Sequence, residues 1–249
     1  MHNKLPFSTA EEVLEGQVLV FDKPLTWTSF DVVNKVRGTF KNVFGLKKVK
    51  VGHAGTLDPL ATGVLILCTG RKTKTIETLQ AEEKTYTGTI RLGITTPSFD
   101  AETEVDFKGD AQKICSLKFE QVSKAAETFI GDLKQMPPQF SAKKVDGVVA
   151  YNAARKGKTV NLQPKAVHVF SFKIIDFEKN YLYGHPVMDI RFEIKCSKGT
   201  YIRALARDLG QAIGIGGMLT ELRRTQSGSF LVENAFDLQE FISSVKSLV

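Results

Sequence analysis

The sequence predicts a mixed fold of strands and helices, in which helices flank a central sheet. Residues 186–196 alternate apolar and charged side chains, which is the pattern of a half-buried strand. Residues 200–210 instead place Ile202, Leu205 and Leu209 on one helical face. Because the chain has 249 residues and 42% hydrophobic content, we expect a globular protein with a real core.

The other elements follow from the same periodicities and from turn residues. Thr28 and Asp31 resemble a capping box, which predicts a helix from there to about Phe40. Thr200 is expected to cap the helix that follows it, and Gly210 to lie at the end of that helix. In chain order we predict strands at 18–21, 64–68, 84–93, 166–177, 186–196 and 218–224, a loop or short hairpin at 95–110, and helices at 71–79, 119–129 and 235–248.

The charge balance favours a polyanionic partner. The formal net charge is +7, and no apolar run approaches membrane-spanning length, so nucleic acid is expected before a membrane. A basic protein with no such partner is the alternative. Six cations lie between residues 35 and 50 and form either a solvated face or a surface that faces phosphates. They are Lys35, Arg37, Lys41, Lys47, Lys48 and Lys50.

Cysteines and histidines indicate neither a disulfide framework nor a metal site. The cysteines are odd in number and far apart, and the histidines lack paired metal-ligand spacing. The polar N-terminus fits no secretory signal. We therefore expect reduced thiols, no metal and a cytoplasmic protein. The residues are Cys68, Cys115 and Cys196, and His2, His53, His168 and His185.

The segment 52–63, GHAGTLDPLATG, lies between two apolar runs that predict strands. Its glycines allow tight backbone paths, and Pro59 biases Asp58 toward an extended conformation. Asp58 should therefore present a fixed carboxylate at the rim of the sheet. Asp-Pro is also an ordinary turn pair, so the composition of this segment leaves a turn and a site equally open.

Arg203 is expected in the first turn of its helix, where an acidic residue would be the favourable choice. Its position makes most sense if an anion, either a carboxylate or a phosphate, lies opposite it. The alternative is an arginine that reaches out to solvent.

The segment 136–165 mixes basic and aromatic residues. Charge can follow phosphates and rings can stack on bases, which suits looped or single-stranded RNA. A flexible solvated insertion is the alternative. The residues concerned are Phe140, Lys143, Lys144, Tyr151, Arg155, Lys156, Lys158 and Lys165.

Taken together, these segments resemble the TruB family of bacterial tRNA pseudouridine-55 synthases. The resemblance runs from about residue 18 to residue 230. One of its motifs would be weak evidence, whereas six in the family's order are strong. They are KP at 23–24 with TS at 28–29, GHAGTLDPLATG at 52–63, KTY at 84–86, MPPQFSA at 136–142, CSKGTYIRALARDLG at 196–210 and LRRTQSG at 222–228.

The resemblance implies an α+β pseudouridine synthase fold with a mixed, largely antiparallel central sheet and a basic thumb insertion at about 136–165. It also implies a single catalytic domain over 1–249. Asp58 matches the nucleophile and Arg203 its partner. Four residues match positions that contact the substrate, namely His53, Tyr86, Tyr201 and Leu222. The resemblance implies that Tyr86 stacks on the base and that Leu222 packs in the base pocket. We further assign contacts with the RNA backbone to Lys23, Lys143, Lys144 and Arg155.

The implied reaction needs no cofactor, because the conversion of uridine to pseudouridine is an isomerisation. An ionised, positioned carboxylate is required, and an arginine favours that form. The target base must leave its stack, which requires an aromatic or apolar pocket. The expected partner is the T stem-loop of tRNA, with no membrane, no obligatory protein partner and a monomeric enzyme.

Two features depart from the family pattern. Thr26 stands where the first motif usually has glycine, which affects the local turn but no proposed catalytic residue. The chain also leaves no room for a C-terminal PUA domain, so we expect the core and the thumb to hold the RNA.

Two other functions remain open from the sequence. A tRNA-binding and folding protein whose main role is not catalytic would use the same positive charge and thumb. A guide-RNA-dependent relative would also share the motifs, although the expected lack of a C-terminal domain argues against it.

Overall fold

A computed structural model describes residues 4–145 and 147–248. His2 lies outside this range. The chain forms two compact units, the first made of residues 1–86 and 223–249 and the second of residues 87–222. No helix in the described part of the chain is long and apolar enough to cross a bilayer.

The described residues form the following elements. The helices are α1 (Ala10–Glu15), α2 (Ser29–Val43), α3 (Ile76–Ala81), α4 (Ala111–Ser116), α5 (Phe119–Glu127), α6 (Ala150–Ala154), α7 (Ile202–Ile213) and α8 (Leu238–Lys246), with 3₁₀ helices at Gly70–Thr75 and Val232–Asn234. The strands are β1 (Val18–Lys23), β2 (Val51–Ala54), β3 (Ala61–Thr69), β4 (Lys84–Leu92), β5 (Ile94–Thr95), β6 (Phe107–Lys108), β7 (Gly131–Gln135), β8 (Lys144–Val145), β9 (Val148–Val149), β10 (Lys165–Leu182), β11 (His185–Cys196), β12 (Gly217–Ser227) and β13 (Phe230–Leu231).

The first unit contains the strand order β1-β3-β12, with β2 paired to β3 and β13 paired to β12. Strand β3 pairs antiparallel with both β1 and β2, so that Cys68 lies opposite Val18 on one side and Gly52 on the other. The apolar core of this unit lies under α2 and α8 and includes a cluster of Phe7, Phe40 and Phe241. Burial of each such ring contributes about 1.5–3 kcal/mol.

The second unit contains strands β4, β11, β10 and β7 in that order. Strand β4 begins in the first unit, and strand β12 ends there. Strand β10 pairs antiparallel with β11 and with β7. The predicted alternation in β11 is confirmed, because Met188, Ile190 and Phe192 are all buried. The mixed α+β class with a mostly antiparallel sheet is therefore confirmed.

The predicted capping box of α2 is confirmed, since Thr28 and Asp31 bond reciprocally at the start of the helix. The predicted ends of α7 are wrong. Tyr201 occupies the N-cap position, and the Thr200 hydroxyl donates instead to the carbonyl of Ser197. The helix also continues beyond Gly210, where a Cβ atom would lie 2.2 Å from the backbone of Gly217. Glycine is needed at position 210 because the two backbones pack closely there. The helix ends instead at Gly214, which adopts the left-handed conformation.

Candidate active site

Asp58 lies in the loop that joins β2 to β3 in the first unit and is partly exposed. This loop leaves β2 through Gly55, whose φ of 96° favours glycine. It enters β3 before Gly63, where a Cβ atom would lie 2.2 Å from the carbonyl oxygen of Arg224. The glycines of the sequence motif therefore fix the path of the loop, as predicted.

The segment 23–29 holds the backbone on both sides of Asp58. The buried Ser29 hydroxyl accepts a hydrogen bond from Leu57 N–H at 2.9 Å and donates one to Leu57 C=O at 3.1 Å. The carbonyl of Pro59 accepts from Thr26 N–H at 2.8 Å and from the ammonium of Lys23 at 3.3 Å. The residues before and after Asp58 are thus both anchored, and we call these contacts the Asp58 clasp.

Lys23 does not occupy the position that contact with an RNA phosphate requires. Its side chain is fully buried, and its ammonium also donates to the carbonyls of Pro24 and Trp27. Burial lowers its pKa to about 8, although the charges of Asp58 and Asp31 oppose this shift. The buried ammonium is not placed to contact a phosphate oxygen, and its contact with Pro59 instead holds the Asp58 loop.

Arg224 supports the same loop, and the sequence analysis gave it no role. It is buried, and its guanidinium donates to the carbonyls of Val64 at 2.7 Å and Gly55 at 3.1 Å. One side chain of β12 therefore holds both the start of the loop and the strand β3 that follows it. Nothing in the sequence distinguishes the role of Arg224 from that of its neighbour Arg223, which pairs with Asp22.

His53 lies on β2, five residues before Asp58, and is partly buried. Burial lowers its pKa first, and the positive charge of Arg224 lowers it further.

We expect His53 to be neutral at pH 7, with a pKa below the usual histidine value of about 6.5. This lowered pKa reduces the free energy of unfolding as the pH falls through 6.5, because the unfolded state then binds the proton more tightly than the folded state does. A histidine NMR titration checks this, and a His53 pKa above 6.5 would contradict it.

Thr26 adopts a φ of 70°, in the left-handed region, although it is β-branched. This explains why the family pattern has glycine here. We expect Thr26→Gly to relieve strain of about 1–2 kcal/mol, partly offset by the entropy that glycine adds to the unfolded chain. Thermal unfolding should show a Tm higher by about 2 °C. The matched control, Thr28→Gly, removes a helix cap at a φ of −73° and should lower the Tm. Equal shifts in both variants would refute the strain.

Ser29→Ala is expected to disturb the Asp58 clasp. It removes the partner of both backbone groups of Leu57 at a buried position, which costs about 1–3 kcal/mol. A reaction that uses the Asp58 carboxylate should slow while the affinity for its substrate stays constant, because only the position of Asp58 changes. Ser29→Thr retains the hydroxyl and is the control. If Ser29→Ala unfolds like wild type, the two hydrogen bonds contribute no stability.

Arg203 lies in the first turn of α7 in the second unit, as predicted, and its side chain is 5% exposed. The guanidinium is 3.3 Å from the Asp100 carboxylate and donates to the carbonyls of Ser98 and Phe140. The alternative of an arginine that reaches out to solvent is therefore wrong, and a carboxylate lies opposite it. Sequence analysis did not single out Asp100, because it lies in a turn-rich acidic segment that reads as a loop. A contact between Arg203 and Asp58 stays a prediction.

Tyr201 is held by a side chain that the sequence analysis also missed. The amide of Gln135, at the end of β7, accepts from Tyr201 N–H at 2.8 Å and donates to its C=O at 3.1 Å. Gln135 is buried and thus fixes the residue immediately before α7.

The other expected site residues have varied surroundings. The Tyr86 ring is buried in β4, and Leu222 in β12 is partly exposed. Lys144 is exposed on β8, and Lys143 lies at the edge of the same hairpin. Arg155 is exposed and pairs with Glu102 at 2.6 Å. Among the described residues, no three His, Cys, Asp or Glu side chains are placed to hold a metal ion.

Comparison with known proteins places these residues in a family. The sequence pattern described as "TruB family pseudouridylate synthase (N terminal domain)" matches residues 41–202, and the "tRNA pseudouridylate synthase B C-terminal domain" matches residues 203–247. The chain is 48% identical to tRNA pseudouridine synthase B of Phocaeicola vulgatus, covering 91% of this chain and 92% of that protein. It is 46% identical to the protein of that name in Flavobacterium johnsoniae, covering 96% and 100%.

Solved structures agree with the fold. A chain in a Cbf5-Nop10-Gar1 complex superposes with a TM-score of 0.66 at 26% identity. A chain in an H/ACA RNP bound to a substrate RNA gives 0.63 at 24% identity. The superposition covers 94% of this chain in the first case and 93% in the second. It covers only about half of the two solved chains, 55% and 53% respectively. On the matches to the family's two domains and to its close relatives, the chain belongs to the TruB family of pseudouridylate synthases.

Proposed function

We propose that this pseudouridine synthase converts uridine 55 in the T-arm of tRNA to pseudouridine, with Asp58 as the nucleophile. The observation that carries this proposal is the Asp58 clasp. A nucleophilic carboxylate must be held in a defined position, and both neighbours of Asp58 are bonded to the single segment 23–29.

The reaction balances without a redox partner. The bond from C1′ of the ribose to N1 of uracil breaks, and a bond from C1′ to C5 forms. The proton leaves C5, and N1 gains one. In this proposal Asp58 attacks the flipped nucleotide and is regenerated when the new bond is complete.

The remaining roles follow the family motifs. We propose that Tyr86 stacks on the target base, that Leu222 lines its pocket, and that His53 and Tyr201 contact the substrate. Arg203 would favour the ionised form of Asp58. Lys143, Lys144 and Arg155 would contact the RNA backbone from the thumb at 136–165.

The proposal extends to the setting of the reaction. We propose that the enzyme acts on the T stem-loop as a monomer in the cytoplasm, without an obligatory protein partner. Activity of the purified chain on a naked transcript would support the absence of an obligatory partner and would exclude a guide-RNA-dependent enzyme.

Tritium release tests the reaction and its position together. A tRNA transcript labelled with tritium at C5 of uridine should release about one equivalent per molecule, because C5 loses its hydrogen. The control transcript carries cytidine in place of uridine 55 and should release none. Equal release from both transcripts would overturn the assignment of position 55, and no release from either would overturn the reaction.

A further inference from the structure

The positive charge of this protein is concentrated in a short part of the first unit. Residues 32–57 contain six Lys and Arg residues and no Asp or Glu. The chain has 34 Lys and Arg against 27 Asp and Glu, so the other residues hold 28 against 27. Most of the net charge of +7 therefore lies in one acid-free stretch between Asp31 and Asp58, and such a concentration favours a polyanion bound at this place.

Five of these six cations are exposed, and four of the five lie at or after the end of α2. Arg37 is engaged, because its guanidinium donates to Asn34 and to the carbonyl of Val51. Lys35 precedes Lys41 by six residues, which places it on another side of α2. The remaining four are exposed, and their ammonium groups form no ion pair or hydrogen bond with the described residues. They are Lys41, Lys47, Lys48 and Lys50, which we call the α2 basic surface.

Two backbone hydrogen bonds fix the segment that carries these lysines. Leu46 N–H donates to the carbonyl of Lys41 at 3.1 Å, which folds the segment after α2 back onto the helix end. The carbonyl of Lys50 accepts from Gly70 N–H at 3.0 Å, which fixes the end of the segment before β2. A cation near a helix C-terminus is stabilised by the negative end of the helix dipole, and this accounts for Lys41. It does not account for Lys47, Lys48 and Lys50, which lie outside the helix.

The α2 basic surface leads directly into the strand of the candidate site. Lys50 adjoins β2, which carries His53 and continues into the Asp58 loop. A polyanion bound along these lysines would therefore run towards the loop within the same unit. Unpaired lysines without neighbouring acids in sequence are suited to phosphates of an RNA backbone, where their contribution depends on salt and not on base sequence.

We infer that the α2 basic surface is a second RNA-binding surface, separate from the 136–165 segment, which contacts phosphates of the tRNA substrate. The inference rests on the proposed function for the identity of the RNA. It assigns these lysines to affinity and not to the chemical step.

The test compares two variants with the same change in charge. One replaces Lys41, Lys47, Lys48 and Lys50 by Gln. The control replaces four exposed lysines of the second unit that lie among acidic residues, Lys108, Lys113, Lys118 and Lys124. Affinity for a full-length tRNA transcript is measured by filter binding from about 50 to 200 mM KCl. Circular dichroism and thermal unfolding confirm that both variants are folded.

We expect the α2 variant to bind at least about tenfold more weakly at the lowest salt, and its plot of log K against log[salt] to lose about 0.7–0.9 of slope per phosphate contact removed. The control should retain the wild-type slope, and the rate at saturating tRNA should be unchanged in the α2 variant. Equal slopes in the two variants, or a lower rate at saturation with unchanged affinity, would overturn the inference. Failure of the proposed function is distinguishable, because wild type would then release no tritium whatever the binding data.

Discussion

Asp58→Asn is expected to lower the single-turnover rate of pseudouridine formation by at least about 10⁴-fold, the scale of loss when a covalent nucleophile is removed. The amide has the shape of the carboxylate but cannot attack as an anion. The clasp contacts that hold its neighbours are made by Ser29, Thr26 and Lys23, so the fold around position 58 should remain. RNA affinity should therefore change by no more than a few-fold.

Asp31→Asn is the matched control for this experiment. Asp31 is another carboxylate of the same unit, and both acids favour the charged form of Lys23. Among the described residues its oxygens accept hydrogen bonds from Thr28 at the cap of α2, so its replacement should cost about 1 kcal/mol of stability or less. Comparable loss of rate in both variants would refute a special role for Asp58.

Arg203→Met is expected to destabilise the second unit by about 3–5 kcal/mol. The guanidinium is buried, and its removal leaves the Asp100 carboxylate, which is 8% exposed, without its arginine partner. The carbonyls of Ser98 and Phe140 also lose a donor. Urea unfolding measures this cost, and the activity of any folded fraction should be low if Arg203 also acts on Asp58.

A double-mutant cycle with Asp100→Asn separates the ion pair from general damage to packing. The two changes together should cost less than the sum of the single changes, by about 1–3 kcal/mol. Arg155→Met is the control for an exposed pair, that with Glu102, and should cost about 1 kcal/mol or less. Additive single effects at Arg203 and Asp100 would show that the pair is not coupled.

The sequence predicted most elements because their signals are local. The alternation in β11 and the capping box at Thr28 each fall within a few residues, and both were confirmed. The ends of α7 were missed because Gly210 is explained by close approach to Gly217, which no local pattern reveals. Such errors arise where tertiary packing determines the choice of residue.

The candidate site divides in the same way. Asp58 and Arg203 could be proposed as site residues from the unusual position of each charge and from motif order. Their support could not, because Ser29, Arg224 and Asp100 act through contacts with residues far away in sequence. Lys23 was misassigned for a related reason. A lysine at the end of a strand usually faces solvent, and only the structure shows three carbonyls around the ammonium of Lys23.

Pseudouridine mapping in cellular tRNA tests the central claim most directly. Cells that lack this protein are complemented with wild type or with Asp58→Asn, and uridine 55 is then assayed in the tRNA pool. We predict pseudouridine at position 55 with wild type and unmodified uridine with Asp58→Asn. The same level of pseudouridine at position 55 in both strains, or none in either, would contradict the claim that this chain modifies tRNA through Asp58.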